Sequence, residues 1–129
     1  MPRETDKIPM PGFDMFRNQS NVVIFAAGET IFDQGDPRDF MFVVKTGEVE
    51  IRLGHRVVEV VGPGGIFGEM AMIDGHERTA TTVARTDCAL VTIDQKRFQF
   101  MVQQTPCFAI EVMRVLAGRL RRTDQLIDA

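Results

Sequence analysis

Tryptophan and tyrosine are absent from the 129 residues, and cysteine and histidine occur only twice each. Without either large ring, any bound aromatic group must be held by other side chains. Cys88 and Cys107 are too few for a disulfide framework or a four-ligand zinc site, which suggests a reducing, cytoplasmic setting. The longest uninterrupted apolar run, Val22–Ala27, falls far short of the about 20 residues a membrane-spanning helix needs. The opening MPRETDKIPMPG is polar and broken by proline, unlike a secretory signal. An excess of positive charge is also missing: 15 basic against 18 acidic residues give a net charge of -3, which argues against nonspecific nucleic-acid binding. What is present is a 44% hydrophobic content, enough to fill a core in a chain of single-domain length.

Residues 1–20 read as a lead-in segment, with Phe13 and Phe16 as possible anchors and Pro2, Pro9 and Pro11 preventing a long helix. From residue 21 to 93 the signal is β: short runs of β-branched and apolar residues, punctuated by glycines. The pattern predicts strands at Val22–Phe25, Thr30–Asp33, Phe40–Thr46, Val49–Leu53, Val57–Val61, Thr79–Ala84 and Cys88–Ile93. In EVEIRL, Val49, Ile51 and Leu53 alternate with Glu48, Glu50 and Arg52. A barrel or sandwich follows. The β pattern breaks at GPGGIFGEMAMIDG, where a helix over Glu69–Ile73 fits between Gly68 and Gly75.

Beyond Ile93 the period becomes helical through residues 94–129. Asp94 suits an N-cap, with Phe98, Met101 and Val102 on one stripe. Thr105 and Pro106 read as the N-cap and first residue of a last helix. Along it, Ala109, Met113, Leu116, Leu120, Thr123 and Ile127 form a heptad seam, able to pack on its own barrel or against a second copy.

The candidate chemistry concentrates in GEMAMIDGHERTAT, Gly68–Thr81. A helix start after glycine presents unpaired N–H groups to an anion. Arg78, among alternating apolar neighbours, is drawn partly inside, where a guanidinium pairs with phosphate or carboxylate. Thr79 adds a hydroxyl, Ala80 leaves room for a ligand, and Glu69 offers an acceptor to a sugar hydroxyl. Taken singly, Glu69 also suits any helix N-terminus, and Arg78 could pair with Asp74 or Glu77 in solvent. The joint pattern favours a phosphate-and-hydroxyl site.

FGEMAMIDGHERTAT resembles the phosphate-binding cassette of cyclic nucleotide-binding domains. AAGETIFDQGDPRDFMFVVKTGEVEI resembles that family's first strands, and the likeness extends over roughly residues 22–127. It implies a mainly β fold: a jelly-roll barrel (double-stranded β-helix) over 21–93, a short cassette helix and two C-terminal helices over 94–129. It also implies that backbone from Gly68 through Met70 to Ala71 contacts ribose and cyclic phosphate. Glu69 would bind the ribose 2′-hydroxyl, and Arg78, supported by Thr79, the phosphate. The last helix resembles the dimerisation helix of the bacterial catabolite activator family. On that likeness Arg119 reaches Glu69, and Thr123 hydrogen-bonds an adenine amino group, favouring cAMP over cGMP. Asp124 stands where that family has a serine contributed across the dimer, and a carboxylate there can also accept from an amino group.

The expectation is therefore a stand-alone, non-catalytic cytoplasmic receptor for a cyclic nucleotide, able to form a homodimer through its last helix and signalling through that helix to an unknown downstream protein. No metal, cofactor, membrane or DNA partner is expected. The six residues after Thr123 leave no room for a helix-turn-helix. His55 and His76 lack a cupin-like metal spacing, Cys88 suits a small core residue, and Cys107 offers only a remote redox role. The competing expectation is a scaffold of the same fold that binds no nucleotide.

Overall fold

A computed structural model describes residues 21–37, 40–74 and 78–128. The expected lead-in, 1–20, lies outside the described residues. Two antiparallel four-stranded sheets lie face to face. The first has the order β1 (Val22–Phe25), β8 (Cys88–Asp94), β3 (Phe40–Thr46), β6 (Ile66–Phe67). The second has the order β2 (Thr30–Phe32), β7 (Thr81–Ala84), β4 (Val49–Leu53), β5 (Arg56–Val61). The described residues also form the helices α1 (Glu69–Asp74), α2 (Gln95–Gln104) and α3 (Pro106–Asp128). The sheets form a jelly-roll-like sandwich and do not close into a barrel.

Sequence and layering correspond strand by strand. FMFVV in β3 is apolar without alternation because both faces are covered. Phe42 and Val44 point between the sheets, towards Val49, Val61, Phe67, Ala84, Cys88 and Leu90. Met41 and Val43 point the other way, into a second core with Val91, Ile93, Phe98, Met101, Phe108 and Val112. The first sheet is thus the middle layer, with the second sheet on one side and the helices on the other. Cys88 is a core residue, as expected, and its thiol is pushed up by burial and then by Asp87 and Glu29. The β4 alternation survives only at one end. Val49 is fully buried while Leu53 is 46% exposed, because the β4–β5 hairpin runs past the core.

Several expected boundaries shift. β6 lies inside the glycine-rich break, where two residues pair with Phe42 and Val43 of β3. β7 begins at Thr81, and Thr79 and Ala80 form the bend that precedes it. Asp94 caps α2 as expected, accepting from the Arg97 N–H at 2.8 Å. Val102 faces outward, so Phe98 and Met101 carry the buried stripe alone.

The heptad seam is not what holds α3. Phe108 and Val112 are buried against the first sheet and α2, with Val115 and Leu116 beside them. Of the expected seam, Met113 and Leu120 are 60% and 63% exposed. A helix on one partner shows it a single stripe, and here the stripe through Phe108 and Val112 is the more apolar contact. At one turn the backbone dictates the residue: a Cβ on Gly47, at φ +88, would lie 2.6 Å from that of Cys88.

Candidate functional site

The site is built where β6 turns through Gly68 into α1 and the chain returns through Arg78 to β7. The Arg78 main chain is pinned to the β2–β3 turn: its N–H donates to Asp36 at 3.1 Å, and its carbonyl accepts from Gly35 at 2.8 Å. Held on both sides, the side chain runs inward and is 5% exposed. Its guanidinium lies over the Phe32 ring, 4.0 Å from the centroid. It donates to the Gly68 carbonyl at 3.2 Å and to that of Phe40. Gly68 has φ +79, and a Cβ there would approach Arg78 Nη1 to 2.9 Å, so glycine is needed on both counts.

Glu69, the first residue of α1, is 2% exposed. Its Oε2 accepts from Arg119 Nη1 at 2.7 Å. Its Oε1 is buried with no hydrogen-bond partner among the described residues. Glu69, Arg78, Thr79, Ala80 and Arg119 surround a cavity of about 80 Å³ whose apolar wall is Phe32, Ile51 and Phe67. Gly68 and Met70 complete its rim. The cavity adjoins a wider cleft of about 530 Å³ between the β4–β5 hairpin and α3, lined by Leu53, Val57, Glu59 and Arg122, with Ile51, Thr79, Ala80 and Arg119 common to both. Of the expected site residues, Gly68, Glu69, Met70, Arg78, Thr79, Ala80 and Arg119 converge. The Ala71 and Thr123 side chains lie outside what the structure describes, as do those of Asp74, Glu77 and Asp124.

Sequence reading missed Glu59. A bulge in β5 sets Glu59 opposite Ile51 while Val57 pairs with Arg52. Glu59 Oε1 accepts from Arg119 Nε at 2.8 Å and Arg122 Nη2 at 2.9 Å, and Oε2 accepts from Arg119 Nη2 at 3.1 Å. Arg119 also donates to the Ile66 carbonyl at 2.8 Å. Burial works to raise the Glu59 pKa, but the hydrogen bonds and charges of Arg119 and Arg122 outweigh it and hold the carboxyl below its ordinary range. Arg119 is correspondingly held above its own: burial opposes its charge, and Glu59 and Glu69 more than restore it. The only sequence sign of Glu59 is a lone acid interrupting the apolar RVVEVV. Its partners Arg119 and Arg122 lie 60 and 63 residues away in sequence.

This arrangement can accept a hydrogen bond from a hydroxyl at Glu69 and offers a cation beside it at Arg78. A family model for the cyclic nucleotide-binding domain matches residues 22–105. The chain belongs to this family. The cyclic AMP receptor protein of Thermus thermophilus is 32% identical over 110 residues, 81% of this chain and 51% of that protein. The crystal structure of the Thermus thermophilus catabolite activator protein superposes with a TM-score of 0.75 at 30% identity, covering 99% of this chain and 59% of that one. The EAL enzyme Bd1971 in its cGMP-bound form has a TM-score of 0.61 at 32% identity, over 79% of this chain and 28% of its own. The chain thus spans about half the length of that receptor protein. Within the family fold, the cavity occupies the cassette and the wider cleft opens towards α3. Among the described residues no group of three metal-ligating side chains occurs, and no helix is long and apolar enough to cross a membrane.

Proposed function

We propose that this domain is a non-catalytic receptor for a cyclic nucleotide, cAMP in preference to cGMP, whose output is the position of α3. The observation that carries the reading is Glu69: a carboxylate buried to 2% exposure in the wall of the cavity that Arg78 also lines, with one oxygen taken by Arg119 and the other without a hydrogen-bond partner among the described residues. A buried acceptor is costly unless matched, and a sugar hydroxyl matches it. The ligand's phosphate would draw Arg78 from the neutral carbonyls of Gly68 and Phe40 into a charge-assisted pair, which is the stronger bond. The purine would extend into the cleft beneath α3. The preference for adenine rests on Thr123 of the RLRRTD stretch and on the likeness to a cyclic AMP receptor; the structural neighbour Bd1971 has been solved in both cGMP-bound and cAMP-bound forms.

Arg119 supplies the coupling. It grips Glu69 in the cassette and Glu59 on β5 at once, so a ligand that engages Glu69 binds better when α3 is docked and thereby favours that state. Ile110, Met113 and Leu120 leave an exposed apolar line on α3, which supports a second copy of the chain as its partner. Both described cysteines are free thiols, which supports a reducing, cytoplasmic setting.

Titration calorimetry with cAMP and cGMP on purified, nucleotide-free protein tests the reading. Saturation at a hundredfold excess over Kd should stabilise the fold by about 2.7 kcal/mol in a thermal-shift assay. No binding of either nucleotide would reduce the domain to a scaffold, and tighter binding of cGMP would reverse the base preference. Amide exchange across α3 should slow on binding.

A further inference from the structure

A second buried polar side chain, Thr82, lines the same cavity. Thr82 is 1% exposed, and its Oγ1 has no hydrogen-bond partner among the described residues. It sits on β7 opposite Phe32 of β2 on one side and Ile51 of β4 on the other. Both neighbours are apolar and line the cavity with it. The Phe32 ring carries the Arg78 guanidinium on its face, so Thr82 lies on the Arg78 side of the site. A valine would fill the position with the same shape and no polar atom. An unmatched hydroxyl in such a wall costs stability unless something entering the cavity meets it.

We propose that Thr82 is a further ligand-contacting residue, its hydroxyl donating a hydrogen bond to an oxygen of the bound nucleotide. The chemistry suits the surroundings. Phe32, Ile51 and Phe67 offer no side-chain acceptor, the ligand's phosphate and sugar are rich in them, and a threonine hydroxyl is free to rotate towards one. In this wall a neutral donor supplements Arg78 without adding charge. The assignment rests on the receptor reading above.

The test is calorimetric titration of the full chain with cAMP, comparing wild type with Thr82→Val and Thr82→Ser, alongside melting of the ligand-free proteins. Thr82→Val should weaken binding about 2- to 10-fold, the effect of one neutral hydrogen bond, while its ligand-free melting temperature stays level or rises. Thr82→Ser should bind more tightly than Thr82→Val despite its lost methyl, which a purely steric role would not produce. Thr82→Val binding as tightly as wild type would overturn the assignment alone. A wild-type chain that binds neither nucleotide would overturn the receptor reading and the assignment with it.

Discussion

Arg119→Met removes the guanidinium at the junction of cassette, second sheet and last helix, and keeps most of the apolar stem. Among the described residues it takes with it two hydrogen bonds to Glu59, one to Glu69 and one to the Ile66 carbonyl. Glu59 retains Arg122 and some access to solvent, so its loss is small. Glu69 is different. At 2% exposure, with Oε1 already unpartnered among the described residues, it would keep no described donor at either oxygen. Stranding one member of a buried ion pair costs about 3–5 kcal/mol. Against a typical stability of about 5–15 kcal/mol, the melting temperature should fall by about 10–20 °C. Urea denaturation followed by circular dichroism measures the loss. Adding Glu69→Gln removes the stranded charge, so the double variant should be more stable than Arg119→Met alone. A loss below about 1 kcal/mol for Arg119→Met, or no recovery in the double variant, would refute the view that Arg119 neutralises a buried carboxylate.

The depressed pKa of Glu59 stabilises the fold above its ordinary value of 4.5 and ceases to do so as pH falls through the lower folded value. After solvent screening the effect is about 1 kcal/mol or less, and Glu59→Gln should flatten that part of a stability-against-pH curve. Gly68→Ala combines a positive φ with a clash at Arg78 Nη1, so it should destabilise by about 1–3 kcal/mol in denaturant melts and displace Arg78 from its seat. Phe108→Ala empties the contact between α3 and α2 and should cost about 3–5 kcal/mol, whereas Met113→Ala on the exposed side should stay within about 0.5 kcal/mol in a monomer.

Most of the strands and the short helix after Gly68 were legible because both depend on local rules. Alternating or fully apolar runs mark faces that must be covered, glycine marks turns, and Asp94 marks the start of a helix by satisfying its own N–H groups. The close spacing of Gly68, Glu69 and Arg78 likewise marked one short stretch whose side chains gather at a single cavity. Tertiary structure alone decided three other matters. It chose which stripe of α3 is buried, because Phe108 and Val112 meet a sheet whose outer face no local pattern describes. It made β6 a strand by offering two residues an edge of β3. It brought Glu59 to Arg119 across the fold, through a bulge that rotates the side chain into the cleft. Ion pairing between residues far apart in the chain depends on how sheets and helices stack, and hydropathy along a strand carries no record of that stacking.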